Sequence, residues 1–407
     1  MARSLGPENF GVYSFFVSVL ALGVGVSKGG LDPIILRNII NKISIADFYV
    51  KSASIYRGLI VLLGASFMIC CFYNLYDYGR LNLFFPVIWI MLALKSLDSV
   101  ELWFHARTRI GEVLKPKYFI FIASVFAKIA ALLFIPSVSI LLTITLIETG
   151  IASVAGWIIY KKKNPNNIRK SSYTVVYLKN LLKTAWPIAF SSFIIISYQK
   201  LQSVILPFWI TKKEYGEYMA ASRITEMLYF IPIAISTSLL PRFLSARKKT
   251  FYTEYEVNSA FMNLFSIMGL ALGLILSFIG PFLIDILYGD MYSESSGIFS
   301  IHIWSIVFVF LGVSRSQVMM NQGLNKYLLR FTCIGLVFNI ILTYYLAINF
   351  STIGVAFAIV ISTFVSNFLV TPLFKETRTI FRSQLSGLFG LKSYRLVFEI
   401  LTRKRTI

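Results

Sequence analysis

A chain of 407 residues in which 57% are hydrophobic and only 14% charged, with a mean hydropathy of +0.73, has more apolar surface than a soluble core can bury. Its net charge of +21 does not mark a nucleic-acid binder, because the Lys and Arg lie in short stretches between long apolar runs rather than on one soluble face. Cys70, Cys71 and Cys333 are odd in number and form no CxxC pair, and His105 and His302 stand outside any zinc motif, which excludes a disulfide framework and a structural metal.

In chain order, apolar runs long enough to cross a bilayer fall near 12–34, 52–74, 82–100, 118–136 and 138–160. They resume near 185–207, 217–241, 258–280, 298–320, 328–348 and 351–374. The expected fold is therefore all-α and integral to a membrane, with about eleven transmembrane helices. Alternate connecting segments hold very different amounts of positive charge. One set, which includes 161–184 and the tail from Lys375, carries 29 of the 39 Lys and Arg. The opposite set carries Arg3, Arg80, Lys212 and Lys213. The positive-inside rule then places the first set, and the C-terminus, in the cytoplasm.

Eleven spans and a cytoplasmic C-terminus put Met1 outside, without a signal peptide before it. An internal repeat bears on this. Phe10-Gly11-Val12-Tyr13 recurs as Tyr215-Gly216-Glu217-Tyr218, and a whole span precedes only the second copy. The expectation is two six-helix bundles in parallel repeat, the first lacking its first helix, with a start codon roughly 20 residues upstream. The domains are then 1–160, an N-terminal bundle; 161–184, a basic cytoplasmic linker; 185–374, a six-helix bundle; and 375–407, a basic tail. Linker and tail are expected to rest on the cytoplasmic leaflet.

Ionisable residues inside spans are costly and usually face a partner or a wet cavity. They are Lys28 and Asp32, Lys95 and Asp98, Lys128, Glu148, Lys200, Arg223 and Glu226, and Arg315. Lys28 with Asp32, at i,i+4, and Lys95 with Asp98, at i,i+3, have the spacing to neutralise each other on one helix face. Lys128 has Glu148 on the next span as a possible partner. Lys200 is surrounded by Tyr198, Gln199 and Gln202, and Arg315 by Ser314, Ser316 and Gln317. Six bases against four acids favour a phosphate-bearing substrate over an organic cation. Lys128, Lys200 and Arg315 are the leading anion contacts, with Lys28, Lys95 and Arg223 behind them. Glu148 is the leading titratable coupling group, followed by Asp32 and Glu226. Gly23, Gly25, Pro187, Pro207, Pro232, Gly269, Gly273 and Gly280-Pro281 punctuate the spans as bends or packing notches. No P-loop occurs, so neither ATP hydrolysis nor a cofactor is expected.

The stretches RSLGPENFGVYSFF, GGLDPIILRNII, GEYMAASRITEMLYFIPIAISTSLLP and LYGDMYSESSGIFSIHIWSIVFVFLGVSRSQ resemble the polysaccharide-repeat-unit (O-antigen, Wzx-type) flippases. These belong to the multidrug/oligosaccharidyl-lipid/polysaccharide exporter superfamily, and the resemblance runs from Ala2 to about Pro372. It implies a twelve-helix fold of two bundles with alternating access. It implies as substrate an undecaprenyl-pyrophosphate-linked oligosaccharide, carried across the bacterial inner membrane during lipopolysaccharide O-antigen assembly. It also implies membrane lipids as partners, with a polysaccharide polymerase and a chain-length regulator in the same pathway. Arg3, Asp32, Lys200, Arg223, Glu226 and Arg315 occupy family-like positions. Two residues after Lys200 the family often has an acid, where this chain has Gln202. A drug or cation exporter of the same fold, and a polymerase or glycosyltransferase of surface-polysaccharide assembly, remain the alternatives. The first predicts an acidic cavity, and the second an extracytoplasmic loop gathering His, Asp and Arg.

Overall fold

The computed structural model describes residues 1–75, 84–164, 174–249 and 252–402, and among these the backbone forms helices and no strand. α1 (Ala2–Lys28) stops where Gly29 and Gly30 take φ of 52° and 61°, the left-handed conformation in which a glycine ends a helix without strain. α2 (Asp32–Asn41) then starts with Pro33 in its first turn, where the missing N–H costs nothing. The expected 12–34 span is thus two helices, with Lys28 closing one and Asp32 opening the next.

α3 (Ala46–Leu75) and α4 (Phe84–Lys95) follow. The 82–100 span falls on α4, a 3₁₀ turn at Ser96–Ser99 and the start of α5 (Val100–Ala106). α6 (Gly111–Phe134), α7 (Val138–Lys163) and α8 (Thr174–Ile205) complete this run. Linker residues 165–173, Arg80, and the side chains of Cys70, Cys71 and Pro187 lie outside the described residues.

α9 (Lys212–Leu228) opens on a capping box. The Thr211 hydroxyl accepts from the Glu214 N–H at 3.3 Å, while the Glu214 carboxylate accepts from the Thr211 N–H at 2.8 Å. After Tyr229 comes α10 (Phe230–Lys249), and Lys212–Ala246 together is apolar enough to cross a bilayer. α11 (Glu254–Tyr288) repeats the box with Thr253 and Glu256. α12 (Ser293–His302) and α13 (Ser305–Asn321) form a pair bent by 40°.

α14 (Asn325–Phe364) breaks at Ser351, which has φ 49° and ψ −138°. A Cβ on Gly354 would strike the Leu346 carbonyl. In a straight helix residues eight apart are ~12 Å apart, so the chain turns back there. This is the boundary expected between 328–348 and 351–374. A π-helix (Val365–Leu369) follows, then α15 (Arg378–Phe389) and α16 (Leu391–Thr402). Among the described residues seven helices are long and apolar enough to span a membrane, or eight with the bent pair. The stretch Asn325–Leu373, which contains the Ser351 turn, enters that number as one.

Contacts divide the chain into two units, one of Met1, Arg3–Leu5 and Val12–Val204, the other of Ala2, Gly6–Gly11 and Ile205–Ile407. In the first, Leu31, Ile35, Val50, Trp103, Phe104 and Tyr160 belong to one apolar cluster. In the second, Phe243, Phe261, Phe265, Phe310 and Phe331 form the centre of another. Ile380 of α15 and Leu396, Val397 and Ile400 of α16 join that second cluster. One face of the tail is therefore packed into protein.

Candidate functional site

The intramembrane charges of the first unit meet acids. Asp32 pairs with Arg57 of α3 and not with Lys28, which is exposed at the end of α1. The expected i,i+4 pair is absent because Gly29 and Gly30 end the helix between its members. The i,i+3 pair does form, with Lys95 Nζ 2.9 Å from Asp98 Oδ2. Lys117, which sequence spacing did not connect to this pair, reaches Asp98 Oδ1 at 2.7 Å and also Glu101.

Lys128 Nζ lies 2.8 Å from Glu148 Oε2, and the Ser124 hydroxyl donates to the same oxygen at 2.6 Å. The two charged side chains keep 17% and 20% of their surface accessible, so the pair is shielded without being sealed. On α7 the group sits beside Thr145, whose hydroxyl is 3.1 Å from the Tyr13 hydroxyl of α1. Lys200 is half-buried on α8, two residues before the buried Gln202.

In the second unit Arg315 is only 4% exposed. Its Nη1 donates to the Ser366 carbonyl at 2.8 Å and to the Thr371 hydroxyl at 3.3 Å, and its guanidinium lies 4.7 Å from the centre of the Phe331 ring. These contacts bind α13 to the π-helix after α14. Arg223 and Glu226 are both half-buried on α9. Arg223 is within electrostatic reach of Tyr288, and Glu226 of Tyr218 and His302, whose rings are 5.9 Å apart.

Two features of this unit extend the sequence reading. Glu217, at the edge of the expected 217–241 span, is 1% exposed, and its backbone carbonyl accepts from the Ser295 hydroxyl at 2.9 Å. A buried carboxylate is expensive enough to mark a site worth testing, and its signal was its place in the repeated aromatic-Gly-x-Tyr step. The two copies of that step also touch. A Cβ on Gly11 would strike the Lys212 carbonyl, and one on Gly216 the Pro7 carbonyl. Each glycine faces the carbonyl four residues before the other, a reciprocal backbone contact that only residues without a Cβ allow. Among the described residues no cluster of three or more His, Cys, Asp or Glu is placed to hold a metal.

A multi-pass, all-helical membrane protein with buried charges on facing helices is the class that this architecture defines. Residues 1–247 match the family model described as "Polysaccharide biosynthesis protein". The chain belongs to that family, the polysaccharide-repeat-unit flippase group that its motifs resemble. Two solved structures share the fold. One is titled "Inward-facing conformation of a multidrug resistance MATE family transporter of the MOP superfamily", with a TM-score of 0.63 at 13% identity over 98% of this chain and 93% of the other. The second is titled "Lipid II flippase MurJ, inward closed conformation", with a TM-score of 0.61 at 17% identity over 97% and 93%. No curated protein gives a significant match.

Proposed function

We propose that this protein flips an undecaprenyl-pyrophosphate-linked oligosaccharide repeat unit across the bacterial inner membrane by alternating access of two helical bundles. The observation that carries the reading is a polysaccharide-biosynthesis family match on a fold shared with a protein titled as a lipid II flippase. The charge inventory supports it, because six intramembrane bases to four acids suit a pyrophosphate. The C-terminus is then cytoplasmic, and a polysaccharide polymerase and a chain-length regulator act after it in O-antigen assembly.

Among the charged groups, Lys128, Lys200 and Arg223 are the proposed anion contacts, since each keeps accessible surface. Lys28 and Lys95 stand nearer the ends of their helices and serve substrate entry. The Lys128–Glu148 pair is the proposed coupling element. When Lys128 turns to the pyrophosphate, Glu148 loses its counter-charge and takes a proton. Asp32 and Glu226 are secondary coupling groups. Arg315 is assigned to holding the π-helix, because its guanidinium is already committed to Ser366, Thr371 and Phe331.

Drug export is the second reading, favoured by the fold shared with a multidrug transporter. Native mass spectrometry of the purified protein separates the two. The flippase reading predicts retention of undecaprenyl-pyrophosphoryl oligosaccharide and loss of binding once the pyrophosphate is hydrolysed. Binding of ethidium with indifference to the pyrophosphate would establish the exporter instead.

A further inference from the structure

The two C-terminal helices each have two faces, and the bundle uses one. Ile380, Leu396, Val397 and Ile400 are buried in the second unit's core. The inner face is also tied to specific backbone atoms. Gln384 Nε2 donates to the Asn367 carbonyl at 3.1 Å, within the π-helix. Arg242 Nε donates to the Ile400 carbonyl at 3.0 Å, which satisfies an acceptor at the end of α16.

The opposite face is of another kind. Arg378, Arg382 and Leu385 on α15 and Tyr394, Arg395 and Phe398 on α16 are exposed. Phe398 is 70% exposed and the Arg395 side chain 87%. Cations interleaved with bare aromatic and aliphatic side chains, on a short amphipathic helix, are the composition that settles at a headgroup boundary. Position agrees with composition. The last apolar stretch ends at Leu373 and α15 begins at Arg378, so α15 starts within ~18 Å of the end of that stretch.

We propose that the outer face of α15 and α16 binds the anionic phospholipid headgroups of the bilayer surface, and that Gln384 transmits this binding to the π-helix after α14. The proposal rests on the multi-pass reading and on the C-terminus lying at a bilayer surface, and it is independent of the substrate. A cavity of about 530 Å³ beside these helices is a poor rival for the anion, since Glu256 and Glu399 both line it. Arg395 turns one edge toward Glu399, at 3.3 Å, and leaves the rest of its guanidinium outward. The π-helix is a suitable receiver. It is held from one side by Arg315 and from the other by Gln384, and π-helical turns are poorly favoured unless such contacts hold them.

The test uses the full chain in nanodiscs of phosphatidylcholine, with and without phosphatidylglycerol, read by Tm and by hydrogen exchange at residues 365–369. Phosphatidylglycerol raises Tm by several degrees and slows exchange at 365–369 about tenfold, the size that a few surface cations supply. The triple variant Arg378→Gln/Arg382→Gln/Arg395→Gln loses both effects. Because these three side chains are exposed, its Tm in phosphatidylcholine alone stays at the wild-type value. Gln384→Ala keeps a lipid-dependent rise in Tm but loses the protection at 365–369. Full retention of both effects in the triple variant overturns the proposal, as does indifference of the wild type to phosphatidylglycerol. Reproduction of both effects by dissolved glycerol 3-phosphate also overturns it, by pointing to a free-anion site. Sugar-lipid transport enters none of these measurements, so failure here and failure of the flippase reading are told apart.

Discussion

The two units treat charge inside the membrane differently. In the first, Arg57, Lys95, Lys117 and Lys128 each touch a carboxylate. In the second, Arg315 is held by a backbone carbonyl, a hydroxyl and an aromatic ring. A base paired with an acid can exchange that acid for another anion, at the cost of protonating or exposing it. A guanidinium bound to neutral acceptors in a buried site has no such exchange, and its hydrogen bonds fix a backbone shape. The first arrangement suits a working ion pair and the second a structural post.

Substitutions sharpen this contrast. The largest effect is expected from Arg315→Ala, which removes a buried charged donor and leaves the Ser366 carbonyl short of its partner. Loss of about 3 kcal/mol is expected in denaturant unfolding. Arg315→Lys does not restore it, because an ammonium lacks the fork that reaches both acceptors while lying on Phe331. Full stability of the Lys variant would show that charge alone matters there.

Next is the Lys128–Glu148 pair. Lys128→Ala strands the Glu148 carboxylate in a shielded place and is expected to lower stability by about 2 kcal/mol. The double variant Lys128→Met/Glu148→Gln removes both charges and is expected to recover most of that loss in thermal unfolding, while transport stays low. A double variant that transports at the wild-type rate would reduce the pair to a structural contact. Asp32→Asn, with a partner 37% exposed on the acid's side, is expected to cost about 1 kcal/mol. Lys28→Ala is expected to change unfolding by less than about 0.5 kcal/mol, as an exposed helix-end lysine should. A larger loss there would place Lys28 in a contact that the fold does not provide.

What could be read from the sequence follows from the range of each interaction. Helical membrane architecture rests on apolar runs, and the turn at Ser351 fell between two of them. The Lys95–Asp98 pair was legible because both residues share one helical stretch. Lys28–Asp32 misled because spacing alone ignored the two glycines lying between them. Arg57, Lys117 and the acceptors of Arg315 are far away in sequence, and no periodicity links them. The tail's alternating basic and apolar residues describe an amphipathic helix equally well on a lipid surface or against protein, so its docking face was beyond sequence patterning. Glu217 sat at a span edge, where a charge normally attracts no notice. The glycines of the repeat were visible, but their meeting was not.

The central claim is that the protein moves a lipid-linked oligosaccharide. The direct measurement is translocation of radiolabelled undecaprenyl-pyrophosphoryl oligosaccharide in proteoliposomes, followed by the fraction that becomes accessible to an impermeant periodate. The account predicts protein-dependent transfer in the wild type that falls at least about tenfold, or ~1.4 kcal/mol in barrier, in Lys128→Ala/Lys200→Ala. Accessibility no faster than in protein-free vesicles, or wild-type transfer in that double variant, would contradict it.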